Sequence, residues 1–475
     1  MENVFSHFMA DSSMLSLILK FYFSAVGVIS LLYLILIAPK ILYYTFARRK
    51  LQAFIIIAVI TLLFWFSFTR NLLAIFITII YALNALTLLI YCINRFTRKE
   101  DPKPDKESSE GYRPSVSVIF AVKNEGSVIA ESIKKVLEMD YPEEKLKVIV
   151  IDDHSTDNTL KIISDIADGK KVRVFQNPGE PGKASAINSS LSFIDTDLVL
   201  MLDADHHVPE DYLKKAVYMF KNPRLGLVQG MLTIRNGKKS LIARLVELEY
   251  YAFYQVFYAA RVLTVYLGTG AIFRKKALLE AGNFNNNICT EDMEMSFRIH
   301  QLGYEVKFST DITTYELAPD TLQHFIKQRY RWIRGTWQAF YAQLGNMFSN
   351  RKVSISKKMD YLQIGITPFV LVCYFMLNIF YLLDVTGIST LPFSYYIIYF
   401  LNLAILIFFT VGLYWSRQLK LSLYIVLVPF FYMIYSFACI KGIVDEFLFN
   451  SKFKGVKADR MNLNAIEPID QAGID

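Results

Sequence analysis

Two long stretches of this chain carry almost no charge, and they restrict what it can fold into more than any other feature. Arg70 is the sole charge from Leu51 to Asn94, and Asp384 the sole charge from Tyr361 to Ser416. A buried helix of a soluble domain is satisfied by about 10–14 apolar residues, whereas crossing a bilayer takes about 20. Runs of this length belong in lipid. Phe21–Ala38 is a further uncharged run of 18 residues. Composition agrees, because 53% hydrophobic, 15% aromatic and only 20% charged residues exclude a purely soluble enzyme, a disordered chain and a secreted disulfide scaffold. The four cysteines, Cys92, Cys289, Cys373 and Cys439, stand far apart with no C-x-x-C pair. That spacing argues against a zinc or disulfide role and fits a reducing compartment.

The chain therefore reads as lipid, water, lipid. Residues 1–95 hold about three spans, with Leu51–Asn94 folded into two around a turn at Arg70-Asn71. The first run is expected to stay as an anchor, since further spans follow it directly. Residues 96–113 form a linker, 114–345 a catalytic domain with interfacial helices such as Leu241–Val262, 346–447 about three more spans, and 448–475 a short tail. The C-terminal apolar stretches are Tyr361–Leu383, Tyr395–Trp415 and Leu421–Ile440. A formal charge of +8 suits nucleic acid in principle, but the basic residues bunch beside apolar runs, as in Arg48-Arg49-Lys50 and Arg95 through Lys99. Membrane orientation accounts for them without a nucleic-acid partner, and it places the middle of the chain on the cytosolic face of the cell membrane. The C-terminal half conflicts with this count. Three spans from a cytosolic Asp360 end outside, whereas Lys441, Lys452, Lys454, Lys457 and Arg460 favour the inside. Either one stretch is interfacial or re-entrant, for instance the one interrupted by Pro429, or the charge rule fails here.

From Pro114 the texture changes to short β-branched runs alternating with amphipathic stretches, which predicts an α/β domain with a mostly parallel sheet. Strands are expected at Val116–Val122, Lys147–Ile151, Val172–Phe175 and Leu198–Leu202, with helices at Ser127–Met139, Thr156–Ala167 and Lys183–Phe193. In such a sheet ligands bind beyond the carboxyl ends of the strands, so acids at those ends carry most of the functional signal. Asn124-Glu125 follows the first strand, Asp152-Asp153 closes the second, and Asp203-Ala204-Asp205 closes the fourth. One such pair alone is a solvated turn or a helix cap. A D-x-D after a strand also brings two carboxylates within reach of one hard cation, and Mg²⁺ or Mn²⁺ takes one or two carboxylates plus phosphate oxygens. His206 and His207 follow directly and are candidate ligands or supports for that ion.

Gly179-Glu-Pro-Gly-Lys183 opens a helix whose free N–H groups suit a phosphate, although its spacing is not that of a Walker loop. Thr290 stands where it would cap the helix that begins at Glu291-Asp292, and two acids there suit the helix dipole. Gly268-Thr269-Gly270 marks a close approach of chain or ligand. Gln328-Arg329-Tyr330-Arg331-Trp332 lies on a helix from about Thr321 to Leu344 whose cations and aromatics also suit a headgroup interface.

In that order, and between membrane spans, Asp152-Asp153, Asp203-x-Asp205, Thr290-Glu291-Asp292 and Gln328-x-x-Arg331-Trp332 resemble the processive family 2 glycosyltransferases, among them cellulose, hyaluronan and poly-N-acetylglucosamine synthases. The resemblance covers about half of the chain, roughly Pro114 to Gln343. It implies a GT-A-type, Rossmann-like α/β catalytic domain inserted between transmembrane helices. By the same resemblance Asn124, Glu125, Asp152, Asp153, Lys183, Asp203, Gln328 and Arg331 hold a UDP-linked sugar, UDP-glucose or UDP-N-acetylglucosamine. Asp203 and Asp205 hold Mg²⁺ or Mn²⁺, and Asp292 is the general base. Gly268, Thr269, Gly270, Glu291 and Trp332 meet the acceptor, a growing polysaccharide or a lipid. The first-strand motif Ala121-Val122-Lys123-Asn124-Glu125 lacks the proline often found there. A transferase of one sugar to a lipid, and a transporter with a nucleotide-binding domain, are the alternative readings.

Overall fold

The computed structural model describes residues 67–97, 111–260, 263–386 and 396–447. The expected span Phe21–Ala38, the first part of Leu51–Asn94, nearly all of the 101–111 linker and the tail lie outside the described residues. In chain order the elements are α1 (Ser67–Thr97), β1 (Val116–Val122), α2 (Ile129–Leu137), β2 (Leu146–Asp152), α3 (Thr159–Ile166), β3 (Val172–Gln176), α4 (Lys183–Ser190), β4 (Leu198–Leu202) and α5 (Tyr212–Ala216). They continue as β5 (Leu225–Ile234), α6 (Leu241–Ala252), β6 (Ala271–Arg274), α7 (Lys275–Ala281), α8 (Glu291–Gln301), β7 (Glu305–Glu316), α9 (Leu322–Ser349), α10 (Ile355–Val385), α11 (Tyr396–Trp415) and α12 (Val428–Phe447). The described residues form two compact units: an α/β unit of 111–247 and 263–361, and a helical unit of 67–97, 248–260 and 362–447.

The α/β unit is built on a seven-stranded sheet in the order β3-β2-β1-β4-β6-β5-β7. β1 pairs in parallel with β2 and β4, and β2 with β3. β6 then enters antiparallel between β4 and β5, and β7 runs parallel to β5 at the far edge. The four expected strands and the three helices between them are present, each within a few residues of its expected bounds. β1 reads Val-Ser-Val-Ile-Phe-Ala-Val because both of its faces are covered. Val116, Val118 and Phe120 pack on one face with α2 and α5 residues such as Ile133 and Leu213. Ile119 joins Ile149, Met201, Ile187 of α4 and Met295 of α8 on the other. At about 1.5–3 kcal/mol per fully buried aliphatic side chain, these two layers fix the register that brings the ends of β1, β2 and β4 to one rim.

In the helical unit the sequence reading needs one correction. Arg70 and Asn71 lie within α1 with helical backbone, so no turn falls there. The apolar stretch from Leu421 changes character near Pro429: Leu419–Leu427 is 3-10, and α12 begins at Val428. Pro429 explains the change, since a proline is tolerated in the first turn of a helix but not in its interior. Near the other end of α12, Lys441 Nζ meets Asp445 Oδ2 at 2.6 Å, an i,i+4 ion pair that accompanies its run past Ile440 to Phe447. Ala74–Thr97, Ile355–Asp384 and Leu419–Glu446 are long and apolar enough to cross a membrane. The Arg95 guanidinium lies 3.8 Å from the centre of the Trp415 ring, a cation and an amphipathic ring of the kind that sits at headgroup depth.

Candidate active site

The rim of the parallel strands gathers most of the expected residues. After β1, Asn124 adopts a left-handed backbone, φ 52°, which a short polar side chain tolerates. Its Oδ1 accepts from Thr156 N at 2.7 Å and its own N–H donates to Ser155 Oγ at 3.0 Å, tying the loop after β2 to the end of β1. Asp152 is buried; Oδ2 accepts from Ser155 N at 3.2 Å, while Oδ1 is buried without a hydrogen-bond partner. An unpaired buried carboxylate oxygen costs about 1–3 kcal/mol or more, a cost that a donor on a bound ligand would remove. Asp153 is placed differently. Its oxygens accept from Gly182 N at 2.9 and 3.0 Å and from Asn177 Nδ2 at 2.8 Å. It clasps the Gly179–Lys183 loop and so delivers Lys183.

Lys183, at the first position of α4, is the hub. Its Nζ donates to Asp203 Oδ1 at 2.5 Å and to Gly268 O at 2.9 Å. Burial works against both charges, but each holds the other: Asp203 keeps the ammonium above its ordinary pKa, and Lys183 keeps the Asp203 carboxyl below its own. Asp203 N also donates to Thr269 Oγ1 at 3.1 Å, so the Gly268–Gly270 turn is fastened to the D-x-D. Gly268 has φ +84° and Gly270 φ +60°, as a close approach requires. A Cβ at Gly268 would stand 2.9 Å from Asp292 Oδ2, so a side chain there would push that carboxylate aside.

Asp292 enters on the first turn of α8. Its Oδ1 accepts from Met293 N at 2.8 Å, and Ser296 Oγ, which donates to the Asp292 carbonyl at 2.9 Å, accepts from Tyr266 N at 2.6 Å. Burial, followed by the neighbouring Glu291 charge, raises its carboxyl to about 7, with Lys183 and Arg331 acting the other way. Burial raises Glu291 as well. A carboxyl poised near neutrality beside a lysine has the chemistry that a general base needs. Thr290 occupies the N-cap position, but its side chain caps nothing: Oγ1 is buried with no partner. Gly335 of α9 packs closely on this residue: a Cβ there would stand 2.7 Å from Thr290 N and 2.8 Å from its Oγ1. Helix packing, not a cap, sets this end of α8. Arg331 on α9 lies near enough to oppose the raised pKa of both acids. Gln328 Oε1 is buried and unpartnered, and the Arg329 guanidinium lies 4.4 Å from the centre of the Trp332 ring.

Asp203 and Asp205 supply hard oxygen donors. His206 Nδ1, buried and without a hydrogen-bond partner, lies 3.4 Å from Asp205 Oδ1 and 4.0 Å from Asp203 Oδ2. Among the described residues no three ligating side chains form a ready-made cage. The donor set fits a Mg²⁺ or Mn²⁺ ion that completes its shell with substrate phosphate. His207 does not fit, since Arg235 Nη1 lies 3.1 Å from its Nδ1. Burial and then that guanidinium push its pKa down to about 4, and a ring facing a fixed cation is poorly placed to receive a second one. Sequence reasoning missed Glu316 and Arg235, which meet His206, His207 and the Asp205 carbonyl. Glu316 closes β7 and would have been found by the same strand-end rule had that strand been recognised.

The family model for glycosyl transferase family group 2 matches residues 198–439, just over half of the sequence. The chain belongs to that family. Poly-beta-1,6-N-acetyl-D-glucosamine synthase of Staphylococcus epidermidis is 28% identical over 352 residues, 72% of this chain and 83% of the synthase. The enzyme of the same name from Staphylococcus aureus strain COL is 29% identical over 263 residues, 54% of this chain and 61% of that one. Among solved structures, the mannosyltransferase PcManGT of Pyrobaculum calidifontis, in complex with GDP-Man and Mn²⁺, matches with a TM-score of 0.55 at 21% identity, covering 78% of this chain and 99% of that one. At that identity the likeness speaks for the fold, which is the GT-A type expected from the sequence. This family 2 glycosyltransferase thus pairs a GT-A α/β unit with helices long and apolar enough to cross a membrane.

Proposed function

We propose that the protein is a membrane-embedded inverting glycosyltransferase that polymerises β-linked N-acetylglucosamine from UDP-N-acetylglucosamine and passes the product across the cell membrane. The observation that carries the reaction is Asp292, a carboxyl raised to about 7 and set against Gly268 beside the Lys183–Asp203 pair. The choice of N-acetylglucosamine over glucose is supported by the synthase of S. epidermidis, 83% of whose length this chain matches.

The chemistry is a single displacement. Asp292 accepts the proton of the acceptor hydroxyl as that oxygen attacks the anomeric carbon, which contributes about 10²–10⁴-fold to the rate. The bond from that carbon to the phosphate oxygen breaks on the opposite face, its electron pair leaves with UDP, and an α-linked donor gives a β-linked product. Charge builds on the departing diphosphate, so its stabilisation is the other requirement. Arg331 supplies a guanidinium there, and Asp203 and Asp205 would hold a Mg²⁺ or Mn²⁺ ion that neutralises the leaving group. Lys183 keeps Asp203 ionised for that purpose. Asp152, Asn124 and Glu125 line the nucleotide end, with Asp153 holding the loop that brings Lys183. Gln328 and Trp332 meet the terminal sugar, Trp332 offering an aromatic surface to its apolar face. The catalytic unit faces the cytosol, where the donor is made, and the described apolar helices are part of a multi-pass membrane domain.

The test is incorporation of labelled UDP-N-acetylglucosamine by purified protein in lipid with Mg²⁺ or Mn²⁺. The expected product has high molecular weight and is digested by a β-1,6-specific glycosidase, and Trp332→Ala shortens or abolishes it. Label confined to a solvent-extractable lipid bearing one sugar overturns the polymerase reading. Consumption of UDP-glucose instead overturns the sugar.

A further inference from the structure

We propose that Glu316 is a positioning residue for Asp205, acting through His206; the proposal rests on the reading of Asp203 and Asp205 as a cation site. Glu316 lies outside the D-x-D, more than a hundred residues along the chain. The backbone brings it there. The loop after β4 is stitched to the end of β7 by a bridge in which His207 N donates to Tyr315 O at 3.0 Å and Tyr315 N to His207 O at 2.9 Å. Arg235 N in turn donates to Glu316 O at 3.0 Å, and Arg235 Nη2 donates to the Asp205 carbonyl at 3.3 Å. On this frame Glu316 Oε2 sits 2.7 Å from His206 Nε2.

The side chains of Glu316, His206 and Asp205 are 13%, 4% and 13% exposed. Burying two carboxylates and an imidazole is costly unless each is paired, and a site needed only for packing is filled more cheaply by apolar side chains. What the triad gains is direction. With Nε2 fixed by Glu316, the ring holds its otherwise unpartnered Nδ1 3.4 Å from Asp205 Oδ1. The ring thereby stands against both carboxylates, with the same Nδ1 4.0 Å from Asp203 Oδ2, and limits how Asp205 can turn. Partners that orient metal-site residues in this way are worth about 10–100-fold in metal affinity.

The experiment uses the full chain in lipid nanodiscs with UDP, titrated with Mn²⁺, the free ion being read by its paramagnetic resonance signal. Glu316→Ala is expected to weaken Mn²⁺ binding about 10–100-fold while UDP binding in EDTA is unchanged. Glu316→Gln, which still accepts from His206, recovers most of the affinity. Where the alanine variant fails to fold, Glu316→Met keeps the volume, and the same result is expected of it. Wild-type Mn²⁺ affinity in Glu316→Ala or Glu316→Met overturns the proposal. Asp205→Ala separates the two ideas: if it loses Mn²⁺ and the Glu316 variants do not, only the role of Glu316 falls. If Asp205→Ala binds Mn²⁺ as the wild type does, the cation reading falls and takes this proposal with it.

Discussion

The strand-end half of the site and its helix half meet at Lys183, yet they treat their acids in opposite ways. At the end of β4, Asp203 touches the ammonium at 2.5 Å and is held ionised in spite of burial. On the first turn of α8, Asp292 lies beside Gly268 and another acid, and burial with Glu291 raises it to about 7. Two carboxylates in one cleft thus separate into one that stays charged and one that can take up and give back a proton, the division on which acid–base assignments depend. The separation comes from contact, since one acid has the lysine as its direct partner and the other has a second carboxylate.

Asp292→Asn tests that division most severely. Turnover should fall by about 10²–10⁴-fold while nucleotide-sugar binding, read by calorimetry, is retained; near-normal turnover would erase the difference between the halves. The same variant has a stability signature. A folded-state pKa raised from its ordinary value to about 7 gives a contribution that is full below the ordinary value and is lost as pH rises through 7. Asp292→Asn should therefore raise Tm at pH 8 and leave it little changed at pH 4.

Gly335→Ala sharpens the comparison by moving only the helix half. Its Cβ would press on the backbone of Thr290, and displacing a reacting group by about 1 Å costs about 10²-fold. Lys183 and Asp203 should be undisturbed, so UDP binding should persist while kcat drops. Gly345→Ala, on the same helix with open space around it, should leave kcat unchanged. If the two alanines behave alike, the close approach of α9 to α8 is not what places Asp292.

A smaller effect is expected from pH alone. With Asp292 near 7 and needed as its carboxylate, kcat/KM should rise through neutrality, falling about tenfold for each unit of pH well below 7. An acid limb near pH 4 would mean that Asp292 titrates like an ordinary carboxyl and that the two halves are alike. The smallest effect belongs to Thr290→Val. Losing a helix cap costs about 0.5–2 kcal/mol, but Thr290 Oγ1 makes no hydrogen bond. The variant should keep or slightly gain stability by chemical denaturation, and a loss of about 1 kcal/mol would restore the cap.

How much of this could be read in advance differs between the halves for the same reason. β1 to β4 are short runs of β-branched and aliphatic residues buried on both faces, and local pattern is enough to place them and the acids that follow. β5 carries Gly226 and Gly230, β6 has four residues, and β7 is an edge strand rich in threonine and acidic residues. None of the three has the unbroken hydrophobic signature of a central strand, so Glu316 went unseen. The cap assigned to Thr290 failed differently. The sequence places the residue correctly at the N-cap position, but in the fold its hydroxyl is buried against α9 and reaches no N–H.

The sequence by itself determined that long, nearly uncharged stretches flank the middle of the chain, that the middle is an α/β sheet, and that acids stand at strand ends. These follow from composition and short-range periodicity, which act over a few residues. Only the tertiary structure decided that Asp153 holds a loop while Asp152 keeps an unpaired oxygen, that His207 faces an arginine, and that Asp292 is raised while Asp203 is lowered. A carboxylate's role depends on its solvation and on charges within a few ångströms. Here those charges come from Lys183, Glu291 and Arg331, which in two of the three cases lie tens of residues away along the chain.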